Sequence, residues 1–252
     1  MKITQEQYEK IEKYLPKQRG NVRISNLQFL NAVLYVVENG CKWRALPKEY
    51  GKWHTIYMRM NRWSKNGVLD RVFTALQEEG IIDINVEVLC LDSTTVKVHP
   101  DACGALKKNG KQAIGRSRGG LTTKIHTVAV SDKAILNFSL SSGKANDCPQ
   151  GMRLLTFTPT GGQKQFLLMD RAYASKKMME LAGALGYEPV VPPKRNFKEQ
   201  WAHDKELYKQ RNKIERFFRR LKRFRRIFTR YDKLDVLFAG FILFVLIVDS
   251  LV

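Results

Sequence analysis

The chain has few cysteines, and its most apolar run is short. None of the four cysteines forms a C-x-x-C pair, so neither a zinc site nor a disulfide framework is expected. The opening MKITQEQYEK lacks the apolar core of a signal peptide. The apolar run 236–248 has 13 residues and is closed by Asp249, which is too short to cross a bilayer. We therefore expect a cytoplasmic protein with reduced thiols and no membrane partner. A buried core helix over 236–248 is favoured over a membrane anchor.

Acidic residues are in short supply. The 252 residues include 44 Lys and Arg against 24 Asp and Glu, a formal net charge of +20. Residues 205–233 alone hold 13 of the cations and three of the acids. So large a positive charge on a chain able to form a packed core implies a polyanionic partner. Nucleic acid is favoured over a membrane surface, because the cations are interleaved with Phe instead of facing a separate apolar surface.

The basic stretch YKQRNKIERFFRRLK, residues 208–222, contains neither Pro nor Gly and predicts one continuous helix. One stripe of that helix carries four residues: Tyr208, Arg211, Glu215 and Lys222. Glu215 has two interpretations. It can neutralise Arg211 or Arg219 at i,i+4 spacing, or it can be a metal ligand on a DNA-facing surface. The helix alone favours the ion pair, because structural ion pairs are common.

Residues 1–80 have the apolar periodicity of helices throughout. Thr4 with Gln7 fits a capping-box start. A later helix is predicted over 53–66, with Arg59 and Arg62 beside its apolar side. A helix, a turn and a basic helix are compatible with a helix-turn-helix reader of DNA. A plain helical bundle with a solvated basic face is the equal alternative, because the motif is loose.

After Gly80 the pattern changes to that of strands. Residues 86–98 are rich in β-branched residues and carry Asp92 in their middle. Four more strands are predicted, one of which ends at Asp170: 121–130, 135–140, 165–169 and 189–191. Helices are predicted over 148–155 and 175–185. The basic loop with Arg116 and Arg118 is either a flexible solvated loop or a loop that contacts phosphate.

Three acids stand out by position. Asp92 interrupts a strand, Asp170 ends another, and Glu215 lies on the basic helix. A buried carboxylate is costly unless it is paired or bound to a cation. If the three meet, Mg²⁺ or Mn²⁺ relieves their repulsion, and two such ions can drive an in-line phosphoryl transfer. Each acid alone has an ordinary alternative, since Asp92 can cap a turn and Asp170 can pair with Arg171.

The order of strands, helices and acids matches the ribonuclease H-like arrangement. That fold is α/β, with a mixed five-stranded sheet flanked by helices. With these residues the chain resembles the DDE transposases of bacterial insertion sequences, specifically the insertion-sequence-five group. The motif Tyr-x2-Arg-x3-Glu-x6-Lys of that group is matched by Tyr208, Arg211, Glu215 and Lys222. Four further stretches are similar to the group, so the resemblance covers nearly the entire chain: LDSTTVKVH (91–99), GRSRGGLTTKIH (115–126), LLMDRAYASKKM (167–178) and VVPPKRN (190–196).

The resemblance implies a Mg²⁺-dependent transposase, with two ions and Mn²⁺ as a substitute, in which Asp92, Asp170 and Glu215 are the catalytic metal ligands. It implies an endonuclease and strand transferase that binds double-stranded DNA at the inverted repeats of its element. The enzyme would cleave the ends and join the 3′-hydroxyl to target DNA. A helical DNA-binding domain over 1–80 would precede the catalytic domain over 86–252. A homodimer on DNA and association with the prokaryotic nucleoid are expected.

The expected DNA contacts are cations and one aromatic residue: Tyr208, Arg211, Lys222, Arg116, Arg118, Lys124, Arg59 and Arg62. Tyr208 either stacks on an unpaired base or only packs. Two other functions stay open. One is a catalytically silent DNA-binding regulator, which the intact acids disfavour. The other is a ribonuclease H-like nuclease that cuts without joining, which a strand-transfer assay would separate from a transposase.

Overall fold

The computed structural model of the chain describes residues 1–84, 87–159, 165–195, 197 and 200–251. Val86, at which the sequence predicts that the first strand and the catalytic domain begin, lies outside the described residues. So do Asn196 of the VVPPKRN stretch and Val252, the predicted end of the catalytic domain.

The order of helices and strands follows the prediction up to residue 204, apart from one short added strand, and differs from it over residues 205–230. The helices in chain order are α1 Gln5–Glu12, α2 Asn26–Asn39, α3 Trp53–Lys65, α4 Val68–Glu78, α5 Asp147–Thr156, α6 Lys176–Ala184, α7 Lys205–Lys209, α8 Asn212–Leu221, α9 Arg225–Phe228 and α10 Asp235–Ser250. The strands are β1 Val88–Val98, β2 Gly115–Ser117, β3 Gly120–Ala129, β4 Ile135–Ser142, β5 Gln165–Met169, β6 Tyr187–Val190 and β7 Thr229–Arg230. The five predicted strands are β1, β3, β4, β5 and β6. The short β2 and β7 are additional.

The chain divides into two compact units, each built from segments that are distant in sequence. The first unit contains Met1–Ile82, Lys97–Gln112 and Leu221–Val252, and the second contains Asp83–Val96 and Ala113–Arg220. This grouping differs from the predicted boundary between residues 80 and 86, because α10 packs on the N-terminal helices. The division into two domains of separate function stays a prediction.

Helix α10 is the centre of the first unit. It is apolar, buried along nearly its whole length, and packed against α3 and α4. Gly240 allows α10 to approach α3 closely, because a Cβ at this position would collide with the Ser64 side chain. The buried core helix predicted over 236–248 is therefore confirmed. Within the described residues, no helix combines the length and the apolar character that a bilayer crossing requires.

The N-terminal helices begin and pack as their sequences indicate. The Thr4 hydroxyl accepts from the Gln7 amide, and the Gln7 side chain accepts from the Thr4 amide, so the predicted capping box is confirmed. On α3, the buried side is formed by Ile56, Met60 and Trp63. Whether these helices read DNA in the helix-turn-helix manner stays a prediction.

The second unit is built on a mixed sheet in the order β4, β3, β1, β5, β6, with β2 beside β3. Strand β5 runs parallel to both β1 and β6, whereas β3 and β4 are antiparallel. Helix α5 packs on β3 and β4, and α6 packs on β6. The core between them includes Leu89, Leu167 and Tyr173. This is the predicted ribonuclease H-like fold: a mixed sheet with helices packed on it.

The continuous helix predicted over 208–222 is wrong at one point. The chain forms α7, then a turn at Gln210 and Arg211, and then α8. At the turn, the Lys213 amide donates to the Gln210 carbonyl three residues back, at 2.9 Å, so the backbone is wound more tightly than an α-helix. The Gln210 carbonyl also faces the Cys90 thiol on β1 at 3.9 Å. This tertiary contact has no signal in the local sequence, and the predicted stripe of four residues is interrupted here.

Candidate active site

Two of the three predicted acids lie where the pairing of β1 with β5 ends. Strands β1 and β5 are parallel, and their register pairs Leu91 with Met169. Asp92 directly follows Leu91, and Asp170 directly follows Met169. Neighbouring strands are about 4.8 Å apart, and residues at the same level point to the same face of a sheet. The fold therefore brings these two carboxylates together.

The Asp92 carboxylate is half-buried and accepts two hydrogen bonds. Its Oδ1 accepts from the Ser93 amide at 2.7 Å, and its Oδ2 accepts from Arg211 Nη1 at 2.7 Å. Burial raises the pKa of Asp92 above its ordinary value, and the negative charge of Asp170 adds to that rise, although the Ser93 amide and Arg211 oppose it. A cation placed beside the two aspartates would therefore stabilise their charged forms.

Asp170 also shapes the turn that follows β5. Its Oδ1 accepts from the Arg171 amide at 2.6 Å and caps a short 3₁₀ turn over Arg171–Tyr173. The contact with Arg171 is thus a bond to its backbone, where the sequence alternative was a side-chain ion pair. The Asp170 residue is only partly buried, so solvent still reaches it.

Arg211 bridges the first and third acids. Its Nη1 donates to Asp92, and its Nη2 donates to Glu215 Oε1 at 2.6 Å. The side chain of Arg211 is 19% exposed and that of Asp92 is 18% exposed, whereas that of Glu215 is 50% exposed. Burial acts to lower the pKa of Arg211, but the surrounding negative charges, with Asp92 foremost, raise it. The ion pair that the helix pattern favours for Glu215 is confirmed, and its partner is Arg211.

The predicted divalent-metal site stays a prediction. Among the described residues, no three acidic, His or Cys side chains are grouped closely enough to hold a metal ion. Asp92 and Asp170 offer the oxygen donors that Mg²⁺ and Mn²⁺ prefer, and their mutual repulsion favours such an ion. Glu215 is joined to Asp92 through the Arg211 guanidinium. The aspartate pair thus fits a divalent ion. Ligation by all three acids stays a prediction, since it requires the guanidinium to leave.

A polar network centred on Asp147 adjoins Asp92, and no motif in the sequence predicts it. Asp147 Oδ1 accepts from Ser93 Oγ at 2.8 Å and from Lys124 Nζ at 2.9 Å. Lys124 also donates to the Ala145 carbonyl at 2.9 Å. The Lys124 side chain is only 16% exposed, so this predicted DNA contact is engaged within the unit. Ser93 links the network to Asp92, because its amide donates to that carboxylate.

His126 is the buried neighbour of this network. Its Nε2 shares a hydrogen bond with Ser141 Oγ at 2.7 Å, and its Nδ1 is 3.9 Å from Asp147 Oδ1. Burial lowers the pKa of His126 to about 4, so the imidazole is neutral near pH 7. A neutral imidazole without solvent exposure serves the packing of the sheet and does not reach a substrate.

The other predicted DNA contacts of the second unit differ in exposure. Arg116 on β2 and Arg118 in the turn after it are both exposed. Tyr208 on α7 is half-buried. The Arg211 guanidinium lies 6.0 Å from the centre of its ring, and the His203 ring meets it edge-on at 5.5 Å. Tyr208 therefore packs on its neighbours while part of the residue stays accessible.

Three predicted DNA contacts belong to the first unit. Arg62 on α3 is exposed. Arg59, one turn earlier, is partly buried and donates to the Ile24 carbonyl at 3.2 Å and to the Asn26 side chain. Lys222 follows α8 and is partly buried, and burial lowers the pKa of its ammonium group. Arg62 is thus the freest of the three.

The chain matches known families along most of its length. Residues 3–73 match a family described as a putative transposase of the IS4/5 family, and residues 86–248 match a family described as the transposase DDE domain. The chain is 33% identical over 111 residues to the uncharacterized protein y4sN of Sinorhizobium fredii, covering 43% of this chain and 86% of that protein. It is 32% identical over 123 residues to a putative transposase for insertion sequence element IS6501 of Brucella ovis, covering 48% and 92%.

Among solved structures, the chain is similar to a piggyBac transposase synaptic complex with hairpin DNA. The sequence identity is 12% and the TM-score is 0.44, over 76% of this chain and 47% of that one. The chain therefore spans about half the length of that transposase. A Mos1 transposase paired-end complex with the left transposon end is also similar, with 9% identity and a TM-score of 0.29 over 83% of this chain and 81% of that one.

Proposed function

This chain belongs to the DDE transposases of the IS4/5 type, and we propose that it binds the terminal inverted repeats of its own element, cleaves the element ends and joins the 3′-hydroxyl to target DNA. Both reactions transfer a phosphoryl group between oxygen atoms. Such a site needs a held phosphate, an activated nucleophile and counter-charge for the transition state. The residues around Asp92 supply candidates for each role.

The observation that carries this proposal is that Asp92, within β1, and Asp170, directly after β5, each follow the paired residues Leu91 and Met169. These two acids would hold the divalent ion, Mg²⁺ with Mn²⁺ as a substitute. When bound, two such ions would act as Lewis acids that activate a water or 3′-hydroxyl and stabilise the leaving oxygen. The Ser93 amide fixes the Asp92 carboxylate. Asp147 in turn accepts a hydrogen bond from the Ser93 hydroxyl. Ser93 and Asp147 therefore hold the Asp92 carboxylate in position.

Glu215 is the proposed third ligand, and Arg211 controls its availability. A guanidinium binds two oxygens at once, whether they belong to carboxylates or to a phosphate. A DNA phosphate therefore competes with Asp92 and Glu215 for Arg211. In our proposal, arrival of DNA draws the guanidinium to the phosphate and frees Glu215. Tyr208, which packs beside Arg211, would stack on an unpaired base at the cut end in this proposal.

Double-stranded DNA is the proposed partner. The net charge of +20 supports a polyanion, and exposed Arg116 and Arg118 can reach phosphates. We propose a homodimer on DNA, because two element ends have to be brought together for joining.

The test replaces each acid by its amide, which preserves shape and removes charge. Asp92→Asn, Asp170→Asn and Glu215→Gln should each abolish metal-dependent cleavage of a duplex that carries the element end. Each variant should still bind that duplex in EDTA. Glu180→Gln, on the exposed side of α6, is the matched control and should cleave normally. Cleavage retained by one of the three variants would remove that residue from the assignment.

The same assay separates the competing functions. Wild-type chain that binds the duplex but never nicks it with Mg²⁺ or Mn²⁺ would be a DNA-binding regulator. Chain that nicks the duplex but does not join the labelled 3′-end to a target plasmid would be a nuclease. Appearance of joined product with wild type, and its loss in the Asp92→Asn variant, is the expected result.

A further inference from the structure

The first unit contains a basic groove between the loop of residues 16–24 and helix α3. Its volume is about 420 Å³. None of the described residues that line it is acidic, and five are cations: Lys17, Arg19, Arg23, Arg59 and Arg62. Three of these lie on the loop and two on α3, so both walls of the groove are positively charged. Phe29, Ile56 and Trp63 provide apolar lining.

Arg59 is a fixed part of the wall. Its guanidinium donates to the Ile24 carbonyl at 3.2 Å and to the Asn26 side chain. The same group lies 4.6 Å from the ring centre of Phe29 and 5.1 Å from that of Trp63, within cation–π range. Arg59 therefore ties the loop to α3, and it contributes charge to the groove without being free to move.

The loop itself is held in shape by its own hydrogen bonds. The Gln18 side chain donates to the Ile24 carbonyl at 2.9 Å, and the Asn26 side chain donates to the Pro16 carbonyl at 3.4 Å. Gly20 supplies the left-handed turn that reverses the chain, with φ of 73°. These bonds fix the ends of the loop, so its cations are presented along the groove.

The charges in this groove lack counter-charge. Lys17, Arg19, Arg23 and Arg62 are exposed, and none of them has an acidic partner in the part of the chain that the structure describes. Burial lowers the pKa of Arg59, and the positive charge of nearby Arg62 lowers it as well, against an opposing effect of Tyr8. Uncompensated like charges in a groove favour the binding of an anion.

We propose that this groove grips the phosphate backbone of duplex DNA, with Arg23 and Arg62 as contacts from its two walls. The inference deepens the proposed function and rests on it. Five cations exceed the charge of one free phosphate, whereas a duplex presents a phosphate charge about every 1.7 Å of its axis. Phe29 and Trp63 are buried beneath Arg59 and cannot stack on a base. The contact is therefore to backbone, and it adds affinity without reading sequence.

The test measures the salt dependence of duplex binding by the full chain. A fluorescent mixed-sequence duplex is titrated in EDTA over a salt series, with Arg23→Gln, Arg62→Gln and the double variant. Each lost phosphate contact should reduce the slope of log Kobs against log salt by about 0.9, and should weaken binding about eightfold at 0.1 M salt. Arg62→Lys, which keeps the charge, should retain the wild-type slope.

Lys10→Gln is the matched control, since Lys10 is an exposed cation on α1 that does not line the groove. It should leave slope and affinity near the wild-type values. Equal slopes for wild type, Lys10→Gln and the double groove variant would overturn the proposal. A double variant that loses binding to poly-glutamate but keeps duplex binding would overturn it too, because the groove would then serve an acidic protein.

The outcomes also distinguish this inference from the function on which it rests. A wild-type chain that binds no duplex at all would overturn both. If wild type cleaves DNA, the Asp92→Asn variant does not, and the groove variants bind DNA unchanged, only the groove proposal is overturned. Thermal unfolding checks that each groove variant is folded, and its Tm should match that of wild type because Arg23, Arg62 and Lys10 are exposed.

Discussion

Replacing Arg211 by Gln tests how much the ionic cluster contributes to folding. The bond to Asp92 joins two side chains that are 19% and 18% exposed. Its loss should cost about 2–3 kcal/mol, because a charge-assisted bond is broken and a shielded carboxylate is left beside Asp170. The bond to Glu215 joins a side chain that is 50% exposed. Glu215→Gln should therefore cost only about 0.5 kcal/mol after screening by solvent.

The cost of Arg211→Gln should depend on pH, and its sign follows from Asp92. Burial already raises the pKa of Asp92, and loss of the guanidinium removes an effect that lowers it. A carboxyl whose folded pKa exceeds its unfolded value binds more protons in the folded state. Stability therefore falls as pH rises from the unfolded pKa through the folded one. The variant should lose most stability near neutral pH and approach wild type near pH 4.

Urea unfolding in EDTA is the assay, at about pH 7 and at about pH 4.5. The double variant Asp92→Asn with Arg211→Gln completes a thermodynamic cycle, whose coupling energy should be about 1.5–3 kcal/mol. The free energy of unfolding of Arg211→Lys should lie between those of wild type and Arg211→Gln. An ammonium group keeps the charge but cannot donate to two carboxylates in the geometry of a guanidinium. Equal costs for Arg211→Gln and Glu215→Gln, or a cost that does not change with pH, would refute the reasoning.

Three further outcomes follow from contacts in the two units. Gly240→Ala should lower the stability of the chain by about 1–3 kcal/mol, seen as a lower Tm, because the added Cβ meets Ser64; an unchanged Tm would contradict the close approach. Lys124→Gln should cost about 1–3 kcal/mol in urea unfolding through loss of the bond to Asp147, with an unaltered salt slope of DNA binding; a reduced slope would make Lys124 a phosphate contact after all. Burial lowers the pKa of His126 to about 4, so its contribution to the free energy of unfolding is full above about pH 6.5 and is lost as pH falls towards 4. The free energy of unfolding of the His126→Asn variant should therefore change less over that pH range than that of wild type. Identical pH dependences of the two proteins would contradict this prediction.

Five of the described strands were predictable from their apolar and β-branched residues, whereas the short strands β2 and β7 carry no such signal. Strand β5, Gln165–Met169, appears at the predicted residues, and the acid that follows it marks the end of a buried segment. The break between α7 and α8 was not predictable from pattern. Neither Pro nor Gly occurs there, and the Gln210 carbonyl instead meets Cys90 of β1. Local propensity cannot report a contact between residues that are far apart in sequence.

The prominence of Asp92 and Asp170 and the pairing of Arg211 with Glu215 were predictable, whereas the contact of Arg211 with Asp92 was not. Asp92 and Asp170 are conspicuous because charge is rare inside or at the end of an apolar strand. The double role of Arg211 depends on the turn that aims its side chain, which periodicity misses. Asp147 had no distinguishing signal, because an acid in the first turn of a helix is ordinary. Only the fold reveals that it faces Ser93 and Lys124.

The position of α10 in the first unit has a consequence during synthesis on the ribosome. The apolar surfaces of α3 and α4 emerge early, but the helix that covers them emerges after the whole second unit has been made. Until then the nascent polypeptide exposes an apolar surface that chaperones and proteases recognise. A product truncated before Asp235 would retain that surface permanently, so we expect such fragments to aggregate or be degraded instead of persisting as competing DNA-binding proteins.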